Sequence, residues 1–443
     1  MPTVSLISLG CPKNLVDSER VLGNFAHKGW VISQEPEDAD LVIVNTCGFI
    51  DEAKQEAIDT LFEAAELKET SSVRAVVGIG CLIERYGEEL AGQMPEIDAW
   101  AGIVDPDKLE TLCRDALLAE TVPPVLKEKR DAREADTDRL RLTPRFYAYV
   151  RIAEGCNNRC NYCVIPAIRG PYVSKPRGVV LREVRELTAN GASEIEIIAQ
   201  DTTLYGSDLY GQMALPELLE SICEVPEVHW ARLMYTHPAH FTDELIEVLA
   251  TNPKMCHYID LPIQHINSEI LEQMGRKVTR QDVEDLIGRL RRAVPDIAIR
   301  TSLIVGFPGE TDAHFQELLD FIREQRFERL GAFAYSREED TVAYDYSGQI
   351  TDEEKAHRLD AVMMLQQEIS LEANEARIGQ EVEVLVEAAE EDGESIGRTQ
   401  YDAPEIDGKI FLPRQHREPG SYCVVEITGV RGHYDLTGEI IDT

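Results

Sequence analysis

The stretch EGCNNRCNYC, residues 154 to 163, sets Cys156, Cys160 and Cys163 three and two residues apart, just after the aromatic and β-branched run FYAYVRI at 146 to 152. A loop that follows a strand is where a βα barrel builds its chemistry. A structural zinc site usually closes four positions, and an electron-transfer cluster usually takes four thiolates, so a tight trio leaves one metal position open. Runs of strand character recur from Arg145 onward: FYAYVRI, SEIEIIA, VHWARLM, HYIDLPI, AIRTSLIV and RLGAFAY, each followed by a helical pattern or a loop leading to one. Six such units predict a partial TIM-like (β/α)6 barrel, short of the eight that close the usual kind. Polar residues follow the strands: Gln200 and Asp201, Tyr235 to His237, Gln264 and His265, Gly306 to Glu310, Tyr335 and Ser336. Singly, each is explained by a structural hydrogen bond; six strand ends turning polar together point to one rim.

Residues 1 to 120 show the same alternation on a different plan. TVSLISL, LVIVN and VRAVVGI read as strands, LVDSERVLGNFAHKG and DEAKQEAIDTLFEAAELK as helices, and IDAWAGIV with DPDKLETLCRDALL completes an open, parallel α/β sheet domain. Cys11, Cys47 and Cys81 each lie two residues past such a run, after Leu9, Asn45 and Ile79. Strand carboxyl ends gather at one edge of an open sheet, so these three thiols are expected to converge. Gly10, Gly48 and Gly80 beside them are expected to let backbone approach a bulky ligand. Three unrelated core cysteines would not share one offset, whereas Cys113, Cys223, Cys256 and Cys423 show no pattern and read as core.

Between these units TVPPVLKEKRDAREADTDRLRLTP has no apolar period, and residues 121 to 141 are expected to link a first domain (1–120) to the barrel core (142–372). From 373 to 443 the texture changes to EVEVLVEAA, ESIGRTQ, GKIFLP and SYCVVEITGV, short strands that predict a small antiparallel β-barrel. The amino terminus has no basic lead before its apolar run, and no stretch is long enough to cross a bilayer. Ten cysteines without a secretory signal fit a reducing, cytoplasmic setting with no membrane partner. The net charge of −37 disfavours nucleic acid as a substrate and favours a basic partner. Only 12 of the 44 basic residues are Lys, a bias that also fits a salt-adapted surface.

At the level of motifs, CNNRCNYC, with Tyr162 at the aromatic position before the last cysteine, resembles the signature of radical S-adenosylmethionine enzymes, and IVGFPGET (304–311) resembles their fifth-strand motif. GCPKN with Asp17-Ser18-Glu19, NTCGFI and IGCLIERY resemble the N-terminal domain of methylthiotransferases, and GRTQYDAPEIDGKIFL resembles a TRAM domain. The likeness covers nearly the whole chain. It implies two 4Fe-4S clusters, one on Cys156, Cys160 and Cys163 and an auxiliary one on Cys11, Cys47 and Cys81, with S-adenosyl-L-methionine as cofactor. Tyr162, Gln200 and Gly306 are the implied cofactor contacts, and no catalytic residue is implied beyond the cluster ligands. Ser302 stands where many radical enzymes have Gly and Glu310 falls one residue late, which leaves Ile304 and Gly306 the backbone role rather than giving Glu310 a nucleoside contact.

Relatives that modify adenosine in transfer RNA typically read GCQMN at the first motif. GCPKNLVDSER, LPIQH (261–265) and APEIDG (403–408) instead resemble the ribosomal-protein type. That resemblance implies methylthiolation of the β-carbon of one aspartate in the twelfth small-subunit ribosomal protein, with an electron donor as second partner. One S-adenosylmethionine would methylate a sulfur on the auxiliary cluster, and a second would yield the radical that takes hydrogen from the aspartate. Charge agrees: residues 379 to 443 hold 5 Lys plus Arg against 15 Asp plus Glu, where a tRNA-gripping module should be basic and an acidic one suits a basic protein. The alternatives are a tRNA-adenosine methylthiotransferase of the same fold and a non-catalytic iron-sulfur or zinc scaffold.

Overall fold

The computed structural model describes residues 1–118, 125–127, 131–389, 393–412 and 417–441. Strands β1 (Thr3–Ser8), β2 (Val31–Ile32), β3 (Leu41–Thr46), β4 (Ala75–Gly80) and β5 (Ala99–Ala101) form a parallel sheet in the order β2-β1-β3-β4-β5. Alternation along β3 decides which face meets which helix. Leu41 and Ile43 pack with Val21 and Phe25 of α1 (Pro12–His27), while Val42 and Val44 pack with Leu61 and Ala64 of α2 (Asp51–Thr70) and Leu90 of α3 (Cys81–Gln93). Helix α4 (Pro106–Leu117) joins α1 on the first face through Leu109 and Leu112.

The six predicted barrel strands are all present. They are β6 (Tyr147–Arg151), then, beyond a short antiparallel pair β7 (Ala153–Glu154) and β8 (Val173–Ser174), β9 (Glu194–Ile198), β10 (Trp230–Leu233), β11 (Met255–Asp260), β12 (Ala298–Val305) and β13 (Arg329–Ala334). They form one parallel sheet, β13-β12-β11-β10-β9-β6, with its two edges unjoined. Val150, Ile195, Ile197, Ala231, Leu233, Ile259 and Ile299 face outward, into a core shared with the surrounding helices. The alternate positions Tyr147, Tyr149, Ile198, Trp230, Met234 and Tyr258 fill the concave side. Val16 of α1 joins that inner cluster near the carboxyl ends of the strands, where Lys13 lies over Tyr235. Leu385 and Ala403 join it from the opposite end, where Tyr422 meets Trp230 and Ser193. The crescent is therefore stoppered above by α1 and below by the C-terminal barrel.

Charges are buried at the lower stopper. Arg398 of the C-terminal barrel reaches Glu194 at 2.5 Å, and Arg232 bonds Glu194 at 2.8 Å and Glu196 at 3.1 Å, all with almost no exposure. Burial alone would raise the Glu194 carboxyl, but Arg398 and Arg232 hold it down at about 2. Such a network fixes one docking geometry, since any shift strands a charge in low dielectric.

The C-terminal barrel closes with five strands, Glu381–Ala389, Ser395–Thr399, Ile410–Leu412, Tyr422–Arg431 and Asp435–Ile440. The expectation of an antiparallel barrel holds for four of its five pairings, whereas Ile410–Leu412 runs parallel to Asp435–Ile440. An odd number of strands cannot alternate direction all the way round a ring, so one parallel pair is required. Residues 119–124 and 128–130, within or beside the expected linker, and Pro413 of the expected strand GKIFLP lie outside the described residues. The rest of the linker is tied down: Leu126 bridges to Ala101, and buried Asp136 is held by Lys175 at 2.6 Å and by Arg151 at 3.1 Å. A second fastening lies at Glu338, beyond β13, which binds Arg85 and Lys54 of the N-terminal domain, each at 2.9 Å.

Candidate functional site

Strands β1, β3 and β4 are neighbours, so their carboxyl ends bring Cys11, Cys47 and Cys81 to one sheet edge. Cys11 is the N-cap of α1 and Cys81 the first residue of α3, where the helix dipole favours a thiolate. One side chain fastens these segments. Asn14 donates to the carbonyls of Leu9 at 3.0 Å and Thr46 at 2.9 Å, and its Oδ1 receives the Cys81 thiol at 3.5 Å. Asn45 in turn donates to the Asn14 carbonyl at 2.9 Å. The neighbouring glycines serve the close approach of one cysteine segment to the next. A Cβ on Gly10 would lie 2.8 Å from Cys47 Cβ, and one on Gly48 would lie 2.7 Å from Leu82 Cα. The carbonyl of Gly48 is held by Arg85 at 2.8 Å.

The second trio sits in the loop that β7 and β8 close at its base. The Cys156 N–H donates to the Gly170 carbonyl and Cys163 N–H to the Cys160 carbonyl, and Asn158 N–H points at Cys156 Sγ from 3.5 Å. Asn161 ties the loop to the Met274 carbonyl. Tyr162 packs against Ile270, Met274 and Phe307, and its hydroxyl receives Arg276 at 3.5 Å; the same guanidinium lies 3.9 Å from Cys160 Sγ.

Burial pushes the Cys47 thiol up, Cys81 to about 12, Cys156 to about 11, and Cys163 higher still. A positive metal centre supplies what such buried sulfurs need to ionise. All six cysteines are free, and neither trio draws its sulfurs within 4.8 Å of one another. A single tetrahedral zinc with bonds of about 2.3 Å would hold sulfurs about 3.8 Å apart. As placed, neither trio closes on a single such ion, and a set of three thiolates is the donor chemistry an iron-sulfur cluster takes.

The two trios share a wall. Cys81 packs against Val164 and Ile168, and Val164 is the residue after Cys163. Helix α5 (Ile165–Arg169) ends in Arg169, whose Nη2 donates to Asn14 Oδ1 at 2.8 Å and to Cys81 Sγ at 3.5 Å. Its Nη1 binds Asp17 at 3.0 Å and Glu154 at 3.2 Å, and Arg151 bridges the same two carboxylates at 2.7 Å each. Burial opposes the charge on Asp17, yet Arg151, Arg169 and Arg20 hold its carboxyl below the usual range. A cleft of about 330 Å³ opens beside this network, lined by Asp17, Arg20, Ile103, Arg151, Glu154 and Arg169 among others and by none of the six cysteines.

The other expected contacts are placed less openly. Gln200 Nε2 donates to Glu154 Oε1 at 2.8 Å, and the buried Oε1 of Gln200 itself has no hydrogen-bond partner among the described residues. Gly306 has φ of +72°, its N–H donates to Glu310 Oε2 at 2.9 Å, and Lys355 covers the side a Cβ would occupy. Glu310 itself is buried against Arg358 at 2.7 Å, and His265 lies buried beside it. Sequence reasoning singled out neither Arg169 nor Arg276, because each meets its cysteine through folding and not through local spacing. Asp201 was flagged only as a rim residue; it receives Asn158 of the cysteine loop at 2.6 Å and faces His240 Nδ1 at 2.9 Å. Burial pulls the neighbouring His237 down to about 2, so its ring is neutral. Lys13, within the quoted GCPKN motif, reaches across to the barrel rim: its Nζ stands 2.8 Å from the centroid of the Tyr235 ring.

Comparison with known proteins agrees with this architecture. The Radical SAM superfamily matches residues 150–322, the uncharacterized protein family UPF0004 residues 3–102, and the TRAM domain residues 378–441. The chain is 46% identical to the ribosomal protein uS12 methylthiotransferase RimO of Desulforamulus reducens, over 99% of this chain and 100% of that one. It is 44% identical to the protein of the same name from Clostridioides difficile, over 100% and 99%. The fold is similar to the radical S-adenosylmethionine methyltransferase TsrM from Kitasatospora setae, at a TM-score of 0.55 and 17% identity over 75% of each chain. It is also similar to the cobalamin-dependent radical enzyme OxsB, at a TM-score of 0.51 and 12% identity over 83% of this chain and 56% of that one.

Proposed function

From the premise that this chain belongs to the RimO family of ribosomal protein uS12 methylthiotransferases, we propose that it inserts a methylthio group at the β-carbon of one aspartate of uS12, with Cys156, Cys160 and Cys163 holding one 4Fe-4S cluster and Cys11, Cys47 and Cys81 the other. It is a radical S-adenosylmethionine enzyme. Bound at these sites, the clusters and S-adenosylmethionine supply the one-electron reduction, the hydrogen-atom abstraction and the sulfur that no side chain supplies. The observation that carries the assignment is the shared wall: Cys81 touches both Val164, adjacent to Cys163, and Arg169. Sulfur delivery and C–H activation need neighbouring sites, and this shared wall supports that reading of the two trios.

The chain's own residues then have definite tasks. Asn14 and Arg169 hold the three strand ends in register, and Arg169 with Arg151 gathers Asp17 and Glu154 so that the two domains keep one relative position. Tyr162 and Arg276 brace the cysteine loop from the side, while Gln200 offers a free buried carbonyl and Gly306 a backbone bend to the cofactor. Helix α1 covers the mouth of the crescent and keeps water from the radical. The acidic 373–443 unit attracts the basic ribosomal protein. An electron donor completes the partners. Among the described residues no helix is long and apolar enough to span a membrane, and a cytoplasmic site of action follows from the ribosomal substrate.

The test is anaerobic reconstitution followed by incubation with S-adenosylmethionine, a reductant and either purified uS12 or unmodified tRNA. A methylthio mass increase on one uS12 aspartate is expected; an increase on adenosine with none on protein would sink the reading.

A further inference from the structure

Two buried cations, Lys13 and Arg276, pair with no carboxylate among the described residues; Arg276 donates to Tyr162 and to the Pro262 carbonyl, and Lys13 donates to neither kind of group. Lys13 is 6% exposed, in the first turn of α1 and two residues from Cys11, and it forms no hydrogen bond or ion pair among the described residues. Lys175, more deeply buried still, is held by Asp136 at 2.6 Å and Glu183 at 2.7 Å, and Arg151, Arg169, Arg232 and Arg398 each bind one or more carboxylates. Lys13 has the face of Tyr235 beneath it and no carboxylate within ion-pair reach among the described residues, although the charges of Cys11, Asp260 and Glu154 are felt from farther off. A buried ammonium whose donors meet no acceptor directly is unfavourable, and Cys11, Asp260 and Glu154 act on Lys13 only from beyond ion-pair reach, so its donors remain available to a further anion.

The geometry around it is fixed rather than loose. Tyr235 follows β10 with φ of +56°, a left-handed backbone that a bulky residue adopts only when its surroundings impose it. Its N–H is pinned to Asp260 Oδ2 at 2.9 Å. Asp260 pairs directly with Arg300 at 2.9 Å and acts on Lys13 only at longer range. The strained residue thus presents its ring under the ammonium, at the point where the cysteine-bearing helix α1 meets the barrel rim.

We propose that Lys13 binds the side-chain carboxylate of the substrate aspartate, and so selects an acidic residue for modification at the adjacent carbon. This rests on the methylthiotransferase reading above. The carboxylate is one bond from the β-carbon that loses hydrogen and gains sulfur. A cation anchored between Cys11 and the rim therefore fixes that carbon with respect to both cysteine trios. A charge-assisted hydrogen bond in a water-poor site discriminates strongly between a carboxylate and its amide.

The experiment measures binding of purified uS12 to the reconstituted full chain by fluorescence anisotropy, with S-adenosylmethionine and without reductant, so that no turnover occurs. uS12 carrying the target Asp→Asn change serves as the second ligand. The wild-type chain is expected to prefer the Asp form by about tenfold or more. Lys13→Met should bring the Asp form down to the level of the Asn form, leave the Asn form unchanged, and keep the iron content of the wild type; Lys13→Arg should retain the preference. The proposal is overturned if the wild type shows no preference, if Lys13→Met keeps it, or if Lys13→Met loses iron, which would make Lys13 a counter-charge for the cluster. Failure of the parent reading has a different signature: reduced wild-type enzyme that leaves uS12 unmodified.

Discussion

Cys156, Cys160 and Cys163 come from 8 consecutive residues, whereas Cys11, Cys47 and Cys81 are gathered from three strand ends spread over 71. The first trio is brought together by one loop, closed at its base by a two-stranded pair and cheap in chain entropy. The second exists only because β1, β3 and β4 lie side by side and Asn14 fastens their ends. Equal numbers of thiols therefore rest on unequal supports. A local site tolerates distant damage, and a strand-end site reports on the whole sheet.

That contrast can be broken most severely at the sulfurs. Cys156→Ala should abolish both 5'-deoxyadenosine formation and product, while Cys11→Ala should abolish product yet leave cleavage of S-adenosylmethionine measurable by chromatography. Equal loss of cleavage in both variants would erase the proposed division of labour. Gly48→Ala tests the support instead of the ligand. Its methyl group would meet the backbone of Leu82, so the N-terminal cluster should be lost and the iron content fall by about half, with the barrel cluster spectrum intact.

Further from the sulfurs, Arg398→Leu leaves the Glu194 carboxylate with Arg232 alone and should lower unfolding stability in urea, by at most about 3–5 kcal/mol, without removing iron from either trio. The pH dependence should change with it. The folded Glu194 carboxyl lies at about 2 against an ordinary 4.5, so its share of stability is full above 4.5 and is lost as pH falls through 2; the variant should flatten that share. Asn14→Ala removes the fastening alone, at an expected cost of about 1–3 kcal/mol for the unmet carbonyl partners. Iron should then leave the N-terminal trio faster than the barrel trio when a chelator is added.

How much of this was legible in the sequence follows the same division. Runs rich in β-branched and aromatic residues revealed all six crescent strands and four of the five in the C-terminal barrel. They missed Asp435–Ile440, whose run DLTGEI interleaves Asp, Thr and Glu with single apolar residues and carries too little hydrophobic signal alone. The shared offset of Cys11, Cys47 and Cys81 was readable because strand ends are local features. Arg169, Asn14 and Lys13 were not assigned roles, since their partners lie 88, 32 and 222 positions away and only packing introduces them. The glycines were recognised as sites of close approach, but what approaches is the next cysteine loop.

Glu338 adds a consequence for the molecule as a mechanical object. It lies 284 positions from Lys54, almost sealed from water, and clasps the N-terminal domain at the far rim of the crescent while Asp136 anchors the covalent connection at the near one. A body tethered at both sides has no single pivot about which to swing. Heating should accordingly release the first two units in one calorimetric transition, and Glu338→Gln should split it into two.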